Sequence, residues 1–206
     1  MTLKRLFLPA ITVFAALTLT ACSDEAPQVQ TYTTLEKPVS VENLAPLTEF
    51  FSLACDHCRS MESVIPVIEE QTGQKVDKVH VTFNESSTFA ALIYYSAVIQ
   101  TEGNPPKALT DALFKYVQEE QSESQEENQK RLTQIFNDAG LTSPYELNEA
   151  QQTDLFAMLE RADLITQESG ITSVPTFMVD GKYIVNTSAH KSVEEMVATI
   201  KTLLNQ

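Results

Sequence analysis

Leu47-Thr48-Glu49-Phe50-Phe51-Ser52-Leu53-Ala54-Cys55-Asp56-His57-Cys58 is the stretch that decides the fold of this chain. Leu47 to Leu53 is a strand-like run, apolar on both faces apart from Glu49, as expected of a buried central strand. A helical pattern follows, with apolar residues at Met61, Val64, Ile65 and Ile68. The pattern predicts a helix from Cys55 to about Thr72, ending near Gly73, with Pro66 kinking it or disturbing its ladder. Two cysteines at this spacing, where a strand turns into a helix, form a dithiol that can close to a disulfide. The first sulfur lies by the helix N-terminus, where unpaired N–H groups and the helix dipole stabilise a thiolate. A thiolate is both the attacking nucleophile and the good leaving group of disulfide exchange. The stretch therefore points to redox chemistry on protein thiols.

The same spacing is also half of a structural zinc site, which normally takes four ligands. Beyond the pair, the chain offers only Cys22, His57, His80 and His190, with no second paired-ligand motif. No metal and no bound cofactor is expected.

The N-terminus has the form of an export signal. Lys4 and Arg5 make a positive start, and Leu6 to Leu17 is an apolar run too short for a membrane span of about 20 residues. Leu19-Thr20-Ala21-Cys22 resembles the lipobox of bacterial lipoproteins, in which the cysteine receives the lipid and becomes the mature N-terminus. The expectation is a signal peptide over 1–21, lipid on Cys22, and a polar tether over 22–30. With Cys22 acylated, only Cys55 and Cys58 remain, and no unpaired thiol is left in an oxidising compartment. Ser23 rather than Asp follows Cys22, so the simplest inner-membrane retention signal is missing. That tilts the expectation toward the outer membrane without deciding it.

The formal net charge is −14, and loss of Lys4 and Arg5 with the leader makes it two units more negative. Such a chain lacks the basic surface with which proteins displace counterions from nucleic acid. It also lacks a polybasic membrane patch, and its acidity serves solubility.

Outward from the dithiol, Thr31 to Leu35 reads as a first strand and Lys78 to Phe83 as a third. Ser87 to Thr101 carries no charge and reads as a buried helix. Pro105-Pro106 opens another, running toward Glu120. Gln121 to Lys130 reads as a solvated surface segment, Arg131 to Ala139 as a helix, and Asp154 to Ser169 as a further helix stopped by Gly170. Val174 to Val179, the turn Asp180-Gly181 and Lys182 to Val185 read as a β-hairpin. Ser192 and Glu195 form a capping box for the last helix. Sheet elements thus flank a helical block on both sides. The expected organisation is α/β, with one sheet domain in two parts, 31–86 and 152–206, the second part including a connecting helix. A helical subdomain over 87–151 is inserted between them.

A strand, Cys-x-x-Cys at a helix start and a distant Val-Pro-Thr opening a hairpin together describe a thioredoxin-like fold. Tyr32 to Val39, Glu49 to Ser52, His57-Cys58, Val174-Pro175 and Gly181-Lys182-Tyr183 are similar to the DsbA family of bacterial thiol:disulfide oxidoreductases. The resemblance runs from about Gln30 to the C-terminus, specific at the ends and loose through the helical insertion. It implies Cys55 as the exposed nucleophile, Cys58 as the buried resolving thiol, and a redox-active Cys55–Cys58 disulfide. It implies His57 as a stabiliser of the Cys55 thiolate and Pro175 as a cis-proline beside the dithiol. The neighbouring Val174 backbone is then left to pair with substrate. Glu49, Glu62 and Lys78 match a charged cluster that tunes the thiols or moves protons. Glu49 stands out because a carboxylate inside an apolar run costs free energy if unpaired. Asp56 stands where the best-known members have Pro. Its charge is expected to oppose the thiolate by about one pKa unit and to weaken the oxidant. The chain has no tryptophan, so any Trp beside the family's substrate groove is missing.

The function so implied is a lipid-anchored periplasmic oxidase that introduces disulfides into cysteine-containing exported proteins and is reoxidised by a DsbB-like, quinone-linked membrane partner. The rival within this chemistry is a reductase or isomerase. The rival from another class is a non-catalytic metal- or peptide-binding lipoprotein.

Overall fold

The computed structural model describes residues 30–206. The expected signal peptide, lipidated Cys22 and nearly all of the tether lie outside the described residues. The order is β1 (Tyr32–Thr34), β2 (Leu47–Phe51), α1 (Asp56–Met61), α2 (Ile65–Thr72), β3 (Asp77–His80), α3 (Glu85–Val98), α4 (Lys107–Glu119), α5 (Gln125–Asp138), α6 (Glu149–Ser169), β4 (Thr176–Val179), β5 (Tyr183–Val185) and α7 (Val193–Leu204). The five strands lie in the order β1-β5-β4-β2-β3, with β2 and β3 parallel and the other neighbours antiparallel. The fold is α/β, with α3 to α6 following β3 and preceding β4 along the chain.

β2 is an interior strand between β4 and β3, and all five of its residues are buried, because both sheet faces carry a core. One core joins Phe51, Val79 and Val81 to the helical block through Ile93, Tyr94, Leu113, Phe114 and Phe136. The other sets Leu47, Phe177 and Val179 against Ile65 and Ile68 of α2 and against Met196, Val197, Ile200 and Leu203 of α7. Phe51 meets Tyr94 edge-on at 4.9 Å and His80 at 5.0 Å. Truncating such a buried aromatic costs about 3–5 kcal/mol, so the insertion is held to the sheet near the end of β2.

The helix expected over Cys55 to Thr72 is broken. Pro66 has no N–H to return to Glu62, and Glu62, Ser63 and Val64 bond three residues back instead of four. Gly73 ends α2 at φ +70°, the left-handed cap that glycine adopts without Cβ strain. Two helices begin earlier than the periodicity suggested. Ser124 accepts from Glu127 N–H, with Glu126 and Glu127 in the first turn, so the second half of the acidic segment is the start of α5. Asn148 and Gln151 form a capping box that starts α6 at Glu149. At α7 the box is incomplete: Ser192 accepts from Glu195 N–H, but the Glu195 carboxylate accepts from Lys191 N–H. The Asp180-Gly181 turn carries φ +50° and +64° and closes with Lys182 N–H on Val179 O at 3.0 Å.

Candidate active site

The chain leaves β2 at Phe51 and enters α1 at Asp56 through a tight turn. Cys55 N–H donates to Ser52 O at 3.0 Å, and Ala54 N–H donates to the Ser52 hydroxyl at 3.2 Å. Cys55 is the N-cap of α1, with extended backbone angles. Its sulfur takes the place of a capping oxygen and accepts from Cys58 N–H at 3.1 Å. Both cysteines are free thiols, Cys55 half-buried and Cys58 fully buried.

This arrangement splits the two thiols. Cys55 is lowered from 9.0 to about 6, chiefly by the hydrogen bond with the Cys58 thiol. Partial burial opposes that shift. The backbone N–H groups of Cys58 and His57 and the charge of His57 add to it. Cys58 is pushed far up by the same thiol–thiol hydrogen bond and by burial. His57 and Asp56 are exposed, and the main influences on the Cys55 thiol come from Cys58, burial and His57.

The Val174–Pro175 peptide bond is cis, and Val174 O lies 3.6 Å from Cys55 Sγ. Beside them a cleft of about 720 Å³ runs past His57, Met61, Val174, Pro175, Ile184 and Thr187. A separate cleft of about 490 Å³ is lined in part by Glu62 and Lys78, and neither cysteine lines either cleft.

Glu49 faces Lys78 across the β2–β3 register. Lys78 Nζ reaches Glu49 Oε2 at 2.5 Å and Glu62 Oε1 at 2.6 Å. Glu49 is 0% exposed, and its Oε1 has no hydrogen-bond partner. Burial raises its carboxyl from 4.5 to about 7, although Lys78 pulls it down. Burial pulls Lys78 down in turn, but Glu49 and Glu62 outweigh it and hold the ammonium above its ordinary range. Glu49 and the two thiols act on one another electrostatically. The structure thus brings Cys55, Cys58, His57, Val174 and Pro175 together at one surface, with Glu49, Lys78 and Glu62 inside, and leaves Asp56 facing solvent.

Two residues escaped the sequence reading. His80, weighed there only as a metal ligand, accepts Leu53 N–H on Nε2 at 2.9 Å and donates from Nδ1 to Val81 O at 2.9 Å. Its own backbone N–H donates to Tyr95 Oη at 3.0 Å. Burial lowers it to about 4, so the ring is neutral. The one sequence signal was a polar ring between Val79 and Val81 in a strand. Gln118 of α4 donates to Leu53 O at 2.8 Å. Nothing in its sequence context distinguishes it from other helix glutamines.

The chain matches the thioredoxin family model over residues 42–202. It is 32% identical over 163 residues to the thiol:disulfide interchange protein DsbA of Escherichia coli, covering 75% of this chain and 74% of that protein. It is 31% identical over 189 residues to the DsbA of Salmonella typhimurium, covering 85% and 86%. The crystal structure of the DsbA disulfide interchange protein from Klebsiella pneumoniae aligns with a TM-score of 0.64 at 25% identity, over 85% of this chain and 95% of that one.

Proposed function

This chain belongs to the thioredoxin family and is a DsbA-like thiol:disulfide oxidoreductase, and from that we propose that Cys55 and Cys58 oxidise dithiols of exported proteins. In the disulfide form, a substrate thiolate attacks Cys55 Sγ. A substrate–Cys55 disulfide forms, the Cys55–Cys58 bond breaks, and the electron pair leaves on Cys58. Cys58, with its raised pKa, takes up a proton, and Glu49, near neutrality at about 7, is the buried group suited to supply it. A second substrate thiolate then attacks the substrate sulfur and expels Cys55 as a thiolate. The substrate has lost two electrons and two thiol protons; one proton restores Glu49 and the other goes to solvent, leaving Cys58 as a thiol and Cys55 as a thiolate.

The observation that carries this reading is the asymmetry of the thiols. A Cys55 at about 6 leaves readily and stabilises the reduced protein, which makes the disulfide an oxidant. The cleft past Val174 and Pro175 gives an extended substrate a backbone edge next to the reacting sulfur. We assign reoxidation to a quinone-linked membrane partner of the DsbB type. The Leu19-Thr20-Ala21-Cys22 segment supports lipid anchoring on the periplasmic side.

Replacing Cys55 with Ser abolishes exchange, whereas Cys58→Ser accumulates mixed disulfides through Cys55. Iodoacetamide on the folded, reduced protein labels Cys55 first. Prior labelling of Cys58 would overturn the assignment. Equilibrium against glutathione sets direction: a potential in the cytosolic thioredoxin range would turn the oxidase into a reductase. A mature N-terminus elsewhere than Cys22 by mass spectrometry would remove the lipid anchor.

A further inference from the structure

We propose that Gln118, on α4 of the inserted helical block, is a positioning residue for the dithiol loop, acting on exchange through the carbonyl of Leu53. The inference rests on the reading of Cys55 and Cys58 as the exchange pair.

Leu53 lies beyond the end of β2 yet is 0% exposed. A buried residue that has left the ladder must find other partners for its N–H and its C=O, which belong to the two peptide units on either side of it. Both are supplied by side chains. His80 Nε2 accepts the N–H at 2.9 Å, and Gln118 Nε2 donates to the C=O at 2.8 Å. The other end of the same amide accepts from Arg59 Nη1 at 3.3 Å. One side chain therefore holds the loop two residues before Cys55 and one residue after Cys58. The amide orientation follows from its neighbours. A carbonyl requires the NH2 end and a guanidinium requires the oxygen, so the flipped amide would lose both contacts.

Between these anchors the chain has little freedom. The Leu53 peptide leads through Ala54 to Cys55, whose N–H is tied to Ser52 O and whose sulfur must lie 3.1 Å from Cys58 N–H to accept from it. Without Gln118, the Leu53 carbonyl must turn toward water, and the turn that carries Cys55 moves with it. By holding the turn that brings the Cys58 N–H to the Cys55 sulfur, these contacts support the hydrogen bond that stabilises the thiolate, and a stabilised thiolate favours the reduced state. A residue of the helical block thereby takes part in the redox balance of a dithiol carried by the sheet domain.

The test is the equilibrium of the full-length protein with glutathione, in which protein dithiol and oxidised glutathione exchange for protein disulfide and two reduced glutathiones. Gln118→Met keeps side-chain length and removes both hydrogen bonds. It is expected to shift that equilibrium about fivefold toward protein disulfide, the size of one ordinary hydrogen bond. It should also raise the Cys55 pKa and slow exchange. Gln118→Asn, too short for either contact, should move all three readouts the same way. Glu119→Gln removes only the Arg59–Glu119 ion pair and should leave them unchanged. A merely structural role would lower the unfolding midpoints of the oxidised and reduced forms equally, with the glutathione equilibrium unmoved. That result, or a shift toward dithiol, overturns the proposal. Wild type runs alongside: if its Cys55 titrates as an ordinary thiol, the exchange-pair reading itself fails, and Gln118 has nothing to position.

Discussion

Glu49, Lys78 and Glu62 lie inside the molecule within electrostatic reach of the dithiol, whereas Lys115, Glu120 and Arg131 meet at the junction of α4 and α5, with both cations half-exposed. Each cluster has three charges and short ion pairs, yet the central carboxylates move in opposite directions. Hydrogen bonds from Arg131 and Lys115 hold Glu120 down at about 2, outweighing a smaller opposing effect of burial. Glu49 has an equally short contact with Lys78 and still rises to about 7, because burial outweighs the cation. Desolvation decides the sign. Of the two clusters, only the buried one holds a carboxyl near neutrality with an unpartnered oxygen.

Removing the cation from each cluster tests this contrast with the largest effect. Lys78→Met leaves Glu49 and Glu62 without a counter-charge in the interior and is expected to cost about 4 kcal/mol in urea unfolding at pH 7. Arg131→Met should leave the midpoint within measurement scatter, since exposed pairs contribute little. Comparable losses from the two variants would break the comparison.

The pH dependence of stability sharpens it. Glu49 is raised from 4.5 to about 7, so its contribution is present below about pH 4.5 and is lost as pH rises through 7. His80 is lowered from 6.5 to about 4, so its contribution is present above pH 6.5 and is lost as pH falls through 4. Each is on the order of 3 kcal/mol, and the windows nearly coincide. Between about pH 4.5 and 6.5 the folded protein holds its proton on Glu49, while the unfolded chain holds one on His80. The two slopes cancel in the wild type. Relative to wild type, Glu49→Gln should therefore give a stability that climbs with pH across this window, and His80→Gln one that falls. Urea unfolding at pH 4.5, 5.5 and 6.5 reads the tilt. Parallel curves would show that one group is already solvated.

The same contrast explains what was legible in the sequence. Burial of β2 on both faces and the cysteine spacing are local patterns, and they carried the α/β fold and the position of the dithiol. Glu49 was conspicuous as one carboxylate in an apolar run. The break before α2 was signalled by Pro66, but its extent depends on three short-range bonds that have no sequence code. Caps such as Asn148 lie outside the apolar stripe, so periodicity started α6 late. His80 and Gln118 were invisible as site residues because their role is to satisfy the N–H and the C=O of one residue, Leu53. Only the assembled chain shows where that residue lies.

Asp56 gives the smallest expected effect. It sits in the first turn of α1 next to the reacting cysteine, and proximity in sequence suggested about one unit of opposition to the thiolate. Its exposure changes the magnitude but not the sign. A carboxylate in water is screened within about 8–10 Å at ordinary ionic strength. The Cys55 sulfur, in contrast, is governed by groups bonded to it directly: the Cys58 thiol and the N–H groups of Cys58 and His57. Asp56→Asn is therefore expected to lower the Cys55 pKa by about half a unit or less, corresponding to about 0.7 kcal/mol or less in favour of the thiolate. The shift should shrink further in 1 M salt, where the Debye length is about 3 Å. Thiolate absorbance in the far ultraviolet, followed against pH at low and high salt, measures both. A shift of a full unit that persists in 1 M salt would mean that Asp56 turns toward the sulfur in solution and belongs with Glu49 among the buried determinants, rather than with Glu120 among the screened ones.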